Sequence, residues 1–290
     1  MLILDGKKVR DFHTGRLVER VRALSSQPTL ALFQIGDNRE SSIYISQKKK
    51  FAESIGARVI HRHFVADASL DEVSRAIEAD NVDPGIHGII IQLPLPRHFD
   101  KDALIDVIDP LKDVDGLTTE SQRLLAEGNP RFVPATAKAV MFILDFYQIP
   151  VAGRRVAVLG RSKLVGLPTS RMLAIAGGEV TVCHSQTPNT REVTRACDIV
   201  VVAIGRPELI GADYFKEGVI IVDVGINSVE GGKFETDLPK RRLVGDVDHA
   251  AVAPMALAMT PVPGGVGPVT VLSLFDTLVG SAEGLGHHFS

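Results

Sequence analysis

Arg155-Val156-Ala157-Val158-Leu159-Gly160-Arg161-Ser162-Lys163-Leu164-Val165-Gly166-Leu167-Pro168 is the stretch whose reading decides the fold. Arg155–Leu159 reads as a buried strand, Gly160 turns the chain, and Pro168 opens a helix running to about Ala176. A strand that turns at glycine into a helix brings unpaired backbone N–H groups to a pyrophosphate, and glycine lets the backbone come close to it. The turn departs from the standard Gly-x-Gly-x-x-Gly, so alone it also fits a plain tight turn. In NAD sites an acid about 20 residues on usually holds the ribose 2′-hydroxyl. Here Glu179–Cys183 is the next strand, and Cys183-His184-Ser185-Gln186-Thr187 supplies no acid. Arg161 and Ser185 suit a 2′-phosphate instead, which points to NADP. The alternative is that Ser185 only caps the following turn.

The same alternation extends in both directions. Downstream, Asp198–Ile204 and Val219–Val224 are apolar strands, and a Gly/Pro knot at Pro261–Pro268 precedes a helix over about Val269–Val279. The small, polar tail Gly280–Ser290 is expected to fray. Upstream, Thr29–Gln34 and Arg58–Phe64 read as strands and Asp37–Ile55 as a helix. Ser69–Ala79 is a helix with Ser69 as cap and Glu72 three residues on. Ile86–Gln92 is apolar on both faces, as in a parallel sheet covered by helices. Leu93–Asp115 reads as loop around one short helix. Thr136 then caps a helix to about Tyr147, ended by Pro150 and Gly153. The class is α/β with open parallel sheets.

Composition narrows the function. The 290 residues favour two domains at about 150 each. A net charge of −3 is the wrong sign for gripping a nucleic-acid backbone, and aromatics at 5% with no Trp argue against base stacking. Two cysteines, Cys183 and Cys197, make neither a disulfide framework nor a zinc site. The longest apolar runs are strand-sized, well short of the roughly 18 residues of a membrane span. Met1–Leu4 is apolar, but Asp5, Lys7, Lys8 and Arg10 follow it, the reverse of a signal peptide. The reading is a cytosolic protein with reduced thiols.

The N-terminal half carries its own polar set. Tyr44 and Lys48 share one face of a helix. Gln92 ends a buried strand, where open sheets bind ligands, and Asp115 lies in Lys112-Asp113-Val114-Asp115-Gly116. Lys48 also opens a run of three lysines of the sort that ordinarily faces solvent. A Tyr-x-x-x-Lys pair occurs in short-chain dehydrogenases, but there it follows the dinucleotide turn, whereas here it precedes it by over a hundred residues. Asp113 and Asp115 lack the third acid and closing Glu of a calcium loop, and no metal is expected.

Taken together, the motifs resemble the bifunctional methylenetetrahydrofolate dehydrogenase/cyclohydrolases. The resemblance rests on Ile35-Gly36-Asp37-Asn38 through Lys48, Gln92-Leu93-Pro94-Leu95-Pro96, Lys112–Leu117, Gly160-Arg161-Ser162 with Val165-Gly166, and Val182–Ser185. It continues through Asp223-Val224-Gly225-Ile226-Asn227, Gly245-Asp246-Val247-Asp248 and Thr260–Pro268, nearly the whole chain in family order. It implies two α/β lobes with a cleft between them. Residues 1–135, with the returning helix 269–279, would bind folate and carry catalysis. Residues 136–268 would form a Rossmann-like NADP-binding domain. Lys48 would move protons, Gln92 hold its amine, Tyr44 orient the folate and Asp115 accept hydrogen bonds from the pterin. Leu93, Pro94, Pro263, Gly264 and Gly265 would also contact folate. Gly160, Arg161, Ser162, Val165, Gly166, Ser185, Gly205 and Ile226 would hold NADP.

The implied activity is oxidation of 5,10-methylenetetrahydrofolate with NADP, then hydrolysis to 10-formyltetrahydrofolate, in one-carbon metabolism serving purine biosynthesis. A cytoplasmic homodimer is implied, with no nucleic-acid or membrane partner. Two places depart from the family pattern. Pro134-Ala135-Thr136-Ala137-Lys138-Ala139 replaces the usual Pro-Cys-Thr-Pro-x-Gly, and Ser121-Gln122-Arg123 replaces Asn-x-Gly. They bear on the balance of the two activities. The competing readings are a shikimate-dehydrogenase-like NADP enzyme of a small acid and a non-catalytic relative.

Overall fold

In a computed structural model, which describes residues 1–233 and 239–284, the alternating pattern becomes two α/β units. The elements run β1 (Leu2–Ile3), α1 (Gly6–Ala23), β2 (Thr29–Ile35), α2 (Arg39–Ile55), β3 (Arg58–Phe64), α3 (Leu70–Val82), β4 (Gly88–Ile91), α4 (Lys101–Ile105), α5 (Thr119–Ala126) and α6 (Ala135–Phe146). They continue with β5 (Arg155–Leu159), α7 (Gly166–Ile175), β6 (Glu179–Cys183), α8 (Thr190–Ala196), β7 (Ile199–Val202), β8 (Val219–Asp223), β9 (Asn227–Lys233), β10 (Pro239–Val244), α9 (His249–Val252), β11 (Ala256–Met259) and α10 (Val266–Ala282).

One unit, Asp11–Ala135 with Val271 onward, holds a parallel sheet in the order β3-β2-β4. Every residue of the central strand β2 is buried, and its apolar run Leu30–Phe33 reflects cover on both faces. The later half of α10 covers this sheet. Phe275, Leu278 and Val279 are fully buried, and a side chain on Gly88 of β4 would strike Leu278 and Val114. Ser281 Oγ donates to His87 O at 2.7 Å. Arg20 of α1 forks onto Glu283 through Nε and Nη2, at 2.9 and 2.7 Å, and reaches Asp276 at 2.5 Å. Ser69 caps α3 by accepting from Glu72 N, as its spacing predicts.

The other unit, Met1–Arg10 with Thr136–Thr270, holds a six-stranded parallel sheet in the order β1-β11-β8-β7-β5-β6. The chain leaves β5 to one side for β6 and returns to its other side for β7. Strand order therefore reverses at β5, and open α/β sheets bind ligands at such a point. β9 and β10 form a separate antiparallel ribbon.

Four expectations need correction. The first ten residues belong with the C-terminal sheet rather than with residues 11–135, because β1 pairs with β11 (Leu2↔Ala258) and Leu4 N donates to Met259 O. Thr136 is not a cap, since α6 already begins at Ala135. α10 begins at Val266, not Val269. Pro268 lies within its first turn, where a missing N–H leaves no bond unmade. Gly280–Ala282 continue α10, while residues 285–290 of the expected frayed tail lie outside the described residues.

Candidate active site

α2 presents Tyr44 and Lys48 one turn apart. Lys48 Nζ donates to Gln92 Oε1 at 2.9 Å. Gln92 follows β4 directly, and its N–H still bonds Phe33 O at 2.8 Å, so the sheet fixes its position. Its own Nε2 donates to Leu93 O at 2.9 Å, which turns the amide oxygen toward the lysine. The three adjacent lysines part ways: Lys49 Nζ lies 3.0 Å from His61 Nδ1 and Lys50 is exposed. Tyr44 is 43% exposed.

The two acids of the 112–116 loop divide the work. Asp113, buried, accepts from Leu117 N and Thr118 N at 3.1 and 2.8 Å and closes the turn. Asp115 faces Lys48, and its carboxylate accepts the N–H of Ala135, the first residue of α6. Both Asp115 and Lys48 keep some exposure along their lengths, but their charged ends are crowded by protein. Burial pushes the Asp115 carboxyl up to about 6, against the pull of the Lys48 charge. Burial also lowers the Lys48 amine below its ordinary range, opposed by Asp115.

This arrangement strains the fold in a pH-dependent way. A carboxyl whose pKa is raised on folding adds stability below its unfolded value and loses it as pH rises through the folded one. For Asp115 the loss runs from about 3.8 to about 6. The neutral double variant Lys48→Met/Asp115→Asn should therefore melt above the parent at pH 8, by about 1–4 kcal/mol of stability. The gap should narrow as pH falls from 6 to 4. Thermal melts across that range check it, and a gap that widens toward acid would show the pair to be net stabilising.

In the six-stranded unit a cavity of about 460 Å³ opens at the switch beside β5. Its lining includes Gly160, Arg161, Ser162, His184, Ser185, Ala203, Ile204 and Arg206. Gly160 has φ +120°, and a Cβ there would overlap the carbonyl of Ala203. A Cβ on Gly166 would overlap the carbonyl of Gly160, so the turn packs directly onto the start of α7. Ser162 Oγ accepts from Val165 N and Gly166 N at 3.2 and 3.4 Å, closing that helix end. The turn after β6 is closed by Thr187, whose Oγ1 accepts from His184 N at 2.9 Å. Ser185 is left exposed on the cavity wall. A cavity at the switch point, walled by a tight glycine turn and by Arg161 and Arg206, fits a phosphorylated dinucleotide.

Against known proteins, a family model described as the catalytic domain of tetrahydrofolate dehydrogenase/cyclohydrolase matches residues 4–115. The NAD(P)-binding domain of the same family matches residues 134–285. The chain belongs to the tetrahydrofolate dehydrogenase/cyclohydrolase family. Among curated members, the bifunctional protein FolD of Campylobacter curvus is 41% identical over 286 residues, 98% of this chain and 96% of that protein. FolD of Methanoculleus marisnigri is 41% identical over 97% and 96% of the two chains. Among solved members, the Campylobacter jejuni FolD structure has a TM-score of 0.91 at 37% identity, covering 98% of this chain and 99% of that one. A Trypanosoma brucei FolD structure, described as complexed with NADP cofactor and inhibitor, scores 0.90 at 35% identity over 98% and 97%. Shikimate dehydrogenase from Aquifex aeolicus scores 0.53 at 12% identity, a likeness of fold alone. The small-acid reading falls with it.

Of the residues expected to act in this family, the structure brings Lys48, Gln92 and Asp115 together, with Leu93 and Pro94 next in the chain. It gathers Gly160, Arg161, Ser162 and Ser185 around one cavity. Val165 and Gly166 start α7, Gly205 lies between two cavity-lining residues, and Ile226 is exposed in the loop after β8. Pro263, Gly264 and Gly265 precede α10 in the six-stranded unit, where Gly6 N donates to Gly264 O at 2.9 Å. Sequence reasoning assigned no task to Asp113, Asp223 or Asp246. Each is a buried acid beside a glycine or within a tight turn, and that juxtaposition was the available signal.

Proposed function

We propose that this chain oxidises 5,10-methylenetetrahydrofolate with NADP and hydrolyses the resulting methenyl cation to 10-formyltetrahydrofolate. The observation that carries the reading is the Lys48 amine held on Gln92 Oε1 at 2.9 Å and facing Asp115, at the ends of a parallel sheet. When bound, NADP supplies the hydride acceptor. Gly160, Ser162 and the start of α7 would hold its pyrophosphate. Arg161 and Ser185 would hold the 2′-phosphate, with Val165, Gly166, Gly205 and Ile226 beside them.

Lys48 acts on the hydrolysis. An amine lowered by burial is neutral for more of the time near pH 7, and the substrate cation beside it pushes the same way. It takes a proton from water as the oxygen bonds to the methenyl carbon. It then returns that proton to N5 as the carbon–N5 bond breaks, while the new hydroxyl loses its proton to solvent. One water is consumed and one proton released. Gln92 fixes the amine, Tyr44 orients the folate and Asp115 accepts from the pterin. Leu93, Pro94 and Pro263–Gly265 bring backbone to the ligand.

We infer a cytoplasmic homodimer serving one-carbon transfer to purine biosynthesis. The family resemblance supports this, and no helix among the described residues is long and apolar enough to cross a membrane. The direct assay follows NADP reduction with methylenetetrahydrofolate and the decay of methenyl absorbance, with shikimate-type acids as controls. Turnover of such an acid in place of the folate would overturn the reading. Arg161→Ala should raise KM for NADP about tenfold, the worth of one charge-assisted contact, and leave KM for NAD nearly unchanged. Equal losses for both would show that Arg161 supports the turn instead.

A further inference from the structure

We propose that Asp246 is a positioning residue for the dinucleotide: its carboxylate holds the loop after β7 in the shape that walls the Gly160–Ser185 cavity. This rests on the reading that the cavity takes NADP. Asp246 is fully buried, and its carboxylate accepts four hydrogen bonds, all from N–H groups. Oδ2 accepts from Ile204 N at 2.7 Å and Gly205 N at 2.9 Å. Oδ1 accepts from Arg206 N at 2.8 Å and from Asn227 Nδ2 at 2.9 Å. Three consecutive backbone N–H groups converging on one anion make a nest. Here the anion is built into the chain rather than bound from solution. Ala203, Ile204 and Arg206 of this loop line the cavity.

Asp246 is held in turn by a second buried carboxylate. Asp223, at the end of β8, accepts from Asp246 N at 3.1 Å, Val247 N at 3.0 Å and Gly225 N at 3.0 Å. Thr260 Oγ1 accepts from Asp223 N at 2.8 Å. Space is as tightly set as the bonding. A Cβ on Gly225 would overlap the Asp246 carboxylate, and one on Gly245 would overlap that of Asp223. The ends of β7 and β8 are thereby tied to each other through two acids. The amides of residues 204–206 are spent on Asp246, so this loop contributes shape to the cavity wall rather than free backbone donors.

The test is Asp246→Asn in the full-length protein. One carboxylate oxygen becomes an NH₂ group facing donors, so the loop must move. Titration with NADPH should show affinity falling about tenfold or more. Hydrolysis of methenyltetrahydrofolate without NADP should keep its rate. Adding Asn227→Asp puts a carboxylate opposite the new amide and should restore most of the affinity. If Asp246→Asn weakens hydrolysis as much as NADPH binding and Asn227→Asp does not rescue it, Asp246 is only a brace and the inference fails. Arg161→Ala run in parallel separates the two readings. If it weakens NADPH and Asp246→Asn does not, the positioning role is wrong. If neither weakens it, the cavity is not the NADP site. Should Asp246→Asn not fold, Asn227→Ala removes one bond to Oδ1 and should lower NADPH affinity about threefold with hydrolysis intact; no change would count against the inference.

Discussion

Lys48→Met should reduce methenyltetrahydrofolate hydrolysis by about 10²–10⁴-fold or more, the usual contribution of a positioned acid–base group. The dehydrogenase step should suffer less once substrate is bound, because hydride transfer needs alignment rather than a proton carrier. Methionine matches the lysine stem in length and removes a charge that burial already disfavours, so folding should survive. Methenyl absorbance, followed with and without NADP, should rise with oxidation and then decay only at the uncatalysed rate. Hydrolysis at the parent rate would return Lys48 to the role of a solvated lysine beside Lys49 and Lys50.

Asp115→Ala should weaken folate binding by about tenfold or more, since a hydrogen bond to a charged group is worth about 1.5–3 kcal/mol. The Ala135 N–H would also lose its acceptor. A second effect follows on Lys48. Asp115 raises the amine's pKa, so its removal lets the amine stay neutral to lower pH. At saturating folate the acid limb of the hydrolysis profile should shift toward acid. Loss of NADP affinity with normal folate binding would show that Asp115 sits in the wrong site.

The strands that sequence revealed most clearly are those buried on both faces, such as β7, an unbroken β-branched run, and β8, apolar up to Asp223 at its end. β1 and β11 escaped because one is two residues long and the other alternates alanine with larger residues. α1 escaped because its buried residues, Val9 and Leu17, are scattered among charged ones with no continuous apolar stripe. At the candidate site, residue types were visible but partnerships were not. Lys48 and Gln92 are 44 positions apart, and no spacing rule joins them. The family resemblance joined them instead. Asp223 and Asp246 were hidden for a different reason. Charge in a sequence is ordinarily read as surface, and only the adjacent Gly225 and Gly245 hint at how closely backbone packs on these acids.

The covering of the β3-β2-β4 sheet by the far end of α10 has a consequence for how the protein is made. Synthesis runs from the N-terminus at about 5–20 residues per second. The sheet is complete in the nascent chain once β4 has emerged, yet Phe275, Leu278 and Ser281 arrive nearly two hundred residues later. β1 likewise waits for β11. The first-made half thus spends most of translation with an apolar flank uncovered, at the mercy of chaperones and of neighbouring chains on the same message. A premature stop near residue 270 would spare every residue assigned here to catalysis and still leave their scaffold without its lid.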